Sequence, residues 1–315
     1  VSVISEANFA DLYLGDGFAD VKGLPGQPRR AAAPADWHEE LERLRERCQE
    51  QYSATFEPEF SLVVDGVVLR VTQLQDLNAK SVFVLSKSSV RILPLDDLGL
   101  PEDLHTSLMS DSIRGGLVFI CGEMGAGKTS SAASIVKARL EALGGMAVTV
   151  EDPPEPLLHG VHGQGRCIQI PVSRRQGGYE EGLIRALRTR ADLLFVGEVR
   201  DTPTAAQVVQ ASINGHLIVC TGHSGSVTQG IERLAALAQP KLPNALHVLA
   251  QGLIAVIHQT LQPADANGFK RLKLQCLSFT GSDGPGIREK VRGGQIPMLD
   301  QDIAHQSSRS LWNDQ

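Results

Sequence analysis

Leu117-Val118-Phe119-Ile120-Cys121-Gly122-Glu123-Met124-Gly125-Ala126-Gly127-Lys128-Thr129 is the stretch on which the reading of this chain turns. Its first five residues are an apolar run that reads as a buried strand. The next eight fit GxxxxGK[ST] at every fixed position, and a helical segment, Ser130 to Leu143, follows. Glycines let consecutive backbone N–H groups turn inward around a phosphate, and the positive end of the following helix adds to them. Lys128 supplies a point charge to the β and γ phosphates, and the Thr129 hydroxyl is placed to ligate Mg²⁺. Gly122, Gly125, Ala126, Gly127, Lys128, Thr129 and Ser130 are therefore the expected nucleotide contacts, with ATP and Mg²⁺ the expected cofactors.

Downstream, three apolar runs each end in polar residues. Met146 to Val150 leads to Glu151-Asp152-Pro153-Pro154-Glu155, Leu193 to Val196 to Gly197-Glu198-Val199-Arg200-Asp201, and Leu217 to Thr221 to Gly222-His223-Ser224. In an open parallel sheet ligands bind beyond the carboxyl ends of the strands, so all three runs deliver groups to the phosphate edge. Glu198 at a strand terminus suits the carboxylate that orients or deprotonates the attacking water. The magnesium-side Asp expected just before it is Gly197, and Asp192 lies at the wrong end of the run. Glu151 on a neighbouring strand is the substitute. His216 and His223 are seven residues apart, about 20 Å in extended chain, so they do not share a metal ion. His223 is expected near the γ-phosphate and His216 in a structural hydrogen bond.

Upstream, residues 1–98 have a different character. Trp37, Leu41, Leu44 and Cys48 form one apolar stripe on a charged helix, with Asp36 and Glu39 as a capping-box start. Asp65-Gly66 between Ser61-Val64 and Val67-Val71 signals a hairpin, and Ser81 to Leu85 a further strand. A small α+β domain follows. Leu93 to Pro101, interrupted by two prolines, is the boundary, leaving 99–315 as the second domain. The polar tail, Gln306 to Gln315, is expected to fray.

The 315 residues suggest about two domains. Thirty Lys and Arg against thirty-six Asp and Glu give a net charge of −6, which disfavours nucleic acid as the main partner. No apolar run is long enough to span a membrane, and no basic-then-apolar leader opens the chain, which starts at Val1 and reads as trimmed. Five scattered cysteines without a CxxC pair speak against a disulfide framework or structural zinc. A cytoplasmic α/β protein is the expectation.

The Gly122–Thr129 loop, Val150 to Glu155, Val196 to Asp201, and Asn214-Gly215-His216-Leu217 through Gly222-His223-Ser224 come in one order. They resemble the Walker A, Asp box, Walker B and His box of secretion ATPases of the PilT, GspE and VirB type. The resemblance covers Asp11 to roughly Gln295, with Phe9 to Leu14 similar to the family's opening strand. It implies a RecA-like P-loop core with a smaller PAS-like α+β N-terminal domain, ATP held between the two. It also implies a hexameric, ATP-hydrolysing motor at the cytoplasmic face of the inner membrane, serving a type IV pilus or conjugation-like secretion. Such a motor docks on an inner-membrane platform or on secretion-system components, so its membrane association runs through partners. Glu198 is then the catalytic carboxylate, Glu151 lies near the metal, His223 near the γ-phosphate, and Gly197 is normal. With no four-cysteine insert, the chain looks like the compact PilT or DotB and TraJ branches.

That family projects two arginines from its first domain toward a neighbour's γ-phosphate. Arg70 matches the first, whereas Val84 stands at the second, so Lys87 or Arg91 would have to compensate. A trans-acting arginine supplies about 10³ to 10⁵ in rate. Arg185, Arg188 and Arg190 read as a solvated or subunit-facing helix side, one of them a candidate for nucleotide contact across an interface. The rival readings are a RecA-like DNA translocase or helicase, a small-molecule P-loop kinase, and a nucleotide-binding subunit with little hydrolysis. The translocase predicts basic loops and stacking aromatics, against 4% aromatic residues in this chain.

Overall fold

A computed structural model describes residues 2–88, 90–262 and 271–313. It divides into two compact units, Val1–Val90 with Asp152–Leu157, and Arg91–Glu151 with Leu158–Gln315.

The first unit contains α1 (Val3–Glu6), β1 (Asp11–Gly15), β2 (Phe18–Lys22), β3 (Arg30–Ala32), α2 (His38–Thr55), β4 (Glu59–Val64), β5 (Val67–Gln75) and β6 (Ser81–Lys87). Its strands form one antiparallel sheet in the order β3-β2-β1-β6-β5-β4. The α2 stripe lies where periodicity puts it. Trp37, Leu41, Leu44 and Cys48 are buried in one cluster with Leu12, Leu14, Phe83 and Leu85. Asp65 and Gly66, at φ of 45° and 79°, close the two-residue turn between β4 and β5, the geometry that matches strand twist. The start of α2 differs from expectation. Ala35–Trp37 is a single 3₁₀ turn, and no side chain caps either it or α2. The His38 N–H donates to the Ala35 carbonyl, so backbone satisfies a donor that Asp36 would have served.

The second unit runs α3 (Glu102–Leu108), β7 (Gly116–Cys121), α4 (Lys128–Leu143), β8 (Gly145–Glu151), β9 (Gly160–His162), β10 (Gly165–Pro171), α5 (Gly178–Leu187), β11 (Leu193–Val196), α6 (Thr202–Ser212), β12 (Leu217–Gly222), α7 (Val227–Ala238), α8 (Ala245–Gly252), β13 (Leu253–Leu261), β14 (Leu272–Ser278), α9 (Gly284–Arg292) and α10 (Leu299–Asn313). Eight strands form one sheet in the order β14-β13-β7-β12-β11-β8-β10-β9. The six inner strands are parallel, and β14 and β9 are antiparallel edges. Helices cover both faces, which is why β7, β11 and β12 are buried along their whole length and read as unbroken apolar runs. Each fully buried Leu, Ile, Val or Phe contributes about 1.5–3 kcal/mol.

Two further expectations are corrected in this unit. Leu95 and Leu98 are buried with Val118, Ile120 and Ile135, so residues 91–98 belong to the second core and the division falls at 90/91. Proline breaks regular structure there, yet apolar burial decides membership. The tail is helical through Asn313, because Ile303 enters the core and Gln306 pairs with Ser278, accepting from its N–H at 2.8 Å and donating to its carbonyl at 3.0 Å.

Candidate nucleotide site

The register brings the four motif segments to one sheet edge. Gly222 pairs with Cys121, and Val196 pairs with both Cys220 and Val150, so β7, β8, β11 and β12 end side by side. The loop after β7 is held from behind by β13. A Cβ at Gly122, where φ is 154°, would lie 2.3 Å from the Gln259 carbonyl oxygen, so only glycine fits. Lys128 then opens α4 with its side chain 8% exposed. Its Nζ donates to the Glu123 carbonyl at 2.7 Å and lies 3.4 Å from His223 Nδ1. Burial lowers the pKa of this ammonium, and the Glu198 charge opposes the shift.

His223 Nε2 is 3.0 Å from Glu198 Oε1. Lys128 has only donors, so Nδ1 accepts from it and the Nε2–H donates to Glu198, an assignment drawn from the network. Lysine, imidazole and carboxylate thus form one line. Thr221 Oγ1 donates to the Gly197 carbonyl, and the Gly197 N–H donates to Val150 at 2.9 Å, which fixes the backbone that carries Glu198. Arg200 lies over the Tyr179 ring, 5.8 Å from its centroid.

Glu151 is buried at the end of β8. Its Oε1 accepts from Thr149 Oγ1 at 2.6 Å and from Gln169 Nε2 at 2.9 Å. The glycine at 197 now has a reason. A Cβ there would lie 3.2 Å from Glu151 Cγ and 3.2 Å from Tyr179 Oη, a tight fit in which a neighbour has to give by a few tenths of an ångström. Thr129 and Ser130 are half-buried in the first turn of α4, and Asp192 is at the far edge, accepting from the Met146 N–H at 2.8 Å. Among the described residues no group of three His, Cys, Asp or Glu side chains could hold a metal ion by itself. A hydroxyl and a carboxylate are nevertheless the hard oxygen donors that suit Mg²⁺, which relies on phosphate oxygens and water for its remaining ligands.

In the first unit, Arg70 is bound to Glu155 at 2.8 Å. Val84 is an ordinary strand residue between Tyr13 and Thr72. Lys87 turns away to the carbonyls of Ser5 (2.9 Å) and Ala7 and lies 4.8 Å from the centre of the Phe9 ring. Arg91 is exposed and falls in the second unit. Arg185 pairs with Glu181 on its own helix, whereas Arg188 and Arg190 are exposed. His216 does not make the side-chain bond expected of it: its Nδ1 is buried without a hydrogen-bond partner among the described residues, and it is its backbone carbonyl that accepts from Gly116.

A family model described as "Type II/IV secretion system protein" matches residues 58–285, a span that contains every one of Arg70, Lys128, Glu151, Glu198 and His223. The chain belongs to the PilT/GspE/VirB superfamily of secretion ATPases. The type IV pilus retraction ATPase PilT of Pseudomonas aeruginosa is 30% identical over 263 residues, 80% of this chain and 74% of PilT. YggR of Escherichia coli, an uncharacterised protein, is 29% identical over 306 residues, 92% of this chain and 88% of YggR. The crystal structure of the pilus retraction motor PilT with bound ADP superposes with a TM-score of 0.76 at 22% identity, covering 100% of this chain and 94% of that one; this likeness speaks for the fold.

The motif reading of this secretion-ATPase chain missed three residues at the site. Gln259, fully buried on β13, donates from Nε2 to the Ala126 carbonyl and so ties down the 122–129 loop. Burial lowers the pKa of its neighbour His258, with the Ser224 backbone and the Glu123 charge opposing. Gln169 on β10 holds Glu151. A buried His-Gln pair at the end of an apolar run was the available signal for the first two, while Gln169 carried none. Among the described residues no helix is long and apolar enough to cross a membrane.

Proposed function

We propose that this chain is the subunit of a ring-shaped, Mg²⁺-dependent ATP-hydrolysing motor, hexameric as in the family it resembles, that drives a type IV pilus or a type IV secretion system. The observation that carries this reading is the Lys128–His223–Glu198 line at the carboxyl edge of the parallel sheet. Phosphoryl transfer needs positioning and charge neutralisation more than covalent help, and these three groups have the charges for it. Lys128 leaves the Glu123 carbonyl for the phosphates, Glu198 orients the attacking water, and His223 couples the two. Thr129 and Glu151 are the residues that would hold Mg²⁺, which supplies charge neutralisation on the phosphates. Arg70 acts on the nucleotide of a neighbouring subunit after release from Glu155. The half-exposed Arg70–Glu155 pair is a weak lock of about 0–1 kcal/mol, consistent with an arginine that exchanges partners. Work at the inner-membrane face, through platform or secretion-system partners, follows from the same reading.

A second reading, a subunit that binds nucleotide and hydrolyses little, is favoured by Val84 and by the engagement of Lys87 with Ser5 and Ala7. Sizing the protein with and without ATP while measuring phosphate release separates the two. A nucleotide-stabilised ring with turnover supports the motor; a ring with none supports the second reading. Lys128→Ala is expected to abolish ATP binding. Glu198→Gln is expected to bind ATP with turnover lowered about 10²- to 10⁴-fold, and wild-type hydrolysis in that variant removes Glu198 from its role.

A further inference from the structure

Glu151 is the last residue before the chain leaves the second unit, and Leu158 is the first after it returns. One side chain binds both ends of that excursion. Gln169, opposite Thr149 in the β8–β10 register, donates from Nε2 to Glu151 Oε1 at 2.9 Å. Its Oε1 accepts from the backbone N–H groups of Leu158 at 2.8 Å and His159 at 2.6 Å. The return strand is pinned further, since the Gln169 N–H lies 3.3 Å from His159 Nδ1 and His162 Nε2 lies 2.7 Å from the Leu158 carbonyl. Between these ends, residues 152–157 engage the first unit: the Pro154 carbonyl accepts from Ser61 Oγ at 2.6 Å, and Glu155 holds Arg70.

We propose that Gln169 is a positioning residue that couples the Glu151 carboxylate to the 152–157 strap, and through Glu155 to Arg70. A carboxamide is planar, with its N and O at fixed separation. A carboxylate that shifts on binding Mg²⁺ and nucleotide therefore either breaks its bond to Gln169 or moves the Leu158–His159 backbone with it. Displacement of Leu158 passes through Leu157 and Pro156 to Glu155, the acceptor of Arg70. The two arrangements differ in which partner Gln169 satisfies, which gives the link the discrete element that coupling needs. This inference rests on the reading of Glu151 as the metal-side carboxylate.

Hydrogen–deuterium exchange on the full chain, with Mg²⁺ and a non-hydrolysable ATP analogue, tests it. In the wild type the analogue is expected to change exchange both in the loop at 122–130 and in the strap at 152–157. In Gln169→Leu, which keeps bulk and loses both polar ends, the loop response is expected to persist with KM within about threefold. The strap response should vanish and kcat fall about tenfold, a split that a merely structural role would not produce. Gln169→Asn, one methylene too short to span both ends, is expected to give the same split and serves if the leucine variant does not fold. An unchanged strap response in either folded variant overturns the coupling. If the wild-type loop itself shows no response to the analogue, the nucleotide reading fails and the coupling with it. If the wild-type loop responds while the strap stays silent, the coupling alone fails.

Discussion

At Gly197 the backbone passes so close to Glu151 and Tyr179 that a Cβ there would lie 3.2 Å from each, tighter than most such contacts. Gly197→Asp, which writes back the general P-loop pattern, is therefore expected to harm the protein. Overpacking beside a buried carboxylate should lower stability by about 1–3 kcal/mol and depress turnover. Thermal unfolding checks this, and an unchanged or raised midpoint with faster hydrolysis would show that the room exists. Arg70 offers a contrasting case. Its pair with Glu155 is half exposed, so Arg70→Ala should leave stability within about 1 kcal/mol of wild type. Mixing Arg70→Ala with Glu198→Gln subunits should restore part of the activity if the arginine serves a neighbour, and restore none if it does not.

At the scale of elements, β13 acts on the site without presenting a group to its open side. Its Gln259 carbonyl abuts Gly122, its Gln259 amide holds Ala126, and its His258 feels the backbone of Ser224, the residue after His223. One strand thus backs both the 122–129 loop and the segment after β12. Gln259→Leu frees the Ala126 carbonyl while keeping the volume of the side chain. The expected loss is about 1–2 kcal/mol of ATP affinity, roughly five- to thirtyfold in Kd, with far-UV circular dichroism unchanged. Calorimetric titration reads it directly. An affinity equal to wild type would mean that the loop keeps its shape without the tether.

For the whole molecule, the five cysteines report on integrity. All are free and buried, and burial raises each thiol, with Cys48, Cys167 and Cys276 pushed up to about 12 and Cys121 to about 11. Cys220 is raised as well. Because the folded state holds these protons more tightly than the unfolded chain, whose thiols ionise near 9.0, the contribution is complete below that pH. It is lost as pH rises through 11 to 12. The thermal midpoint should accordingly fall steadily above pH 9. At pH 8 a thiol reagent should label the native protein slowly and the unfolded protein at five sites. Rapid native labelling would contradict the packing described for both cores.

The legible part of this protein was local in character. Strand, glycine loop and helix at 117–143 have a periodicity and turn chemistry that neighbouring residues impose on each other, and so do the α2 stripe and the Asp65-Gly66 hairpin. Apolar runs ending in charged residues likewise announced a parallel sheet with its chemistry at one edge, since strands covered on both faces carry polar groups only where they stop. The order of those strands was another matter. Placing β12 and β11 between β7 and β8 puts Glu198 and His223 beside Lys128, and no spacing along the chain states that order. Nor did anything local reveal Gln259 holding the 122–129 loop, Gln169 bridging the two ends of the strap, or Leu95 and Leu98 joining the second core. Those depend on which surfaces meet after the chain has closed on itself: a hydrogen bond between residues 133 positions apart, or a methyl group in a gap left by another strand, leaves no trace in the sequence around either partner.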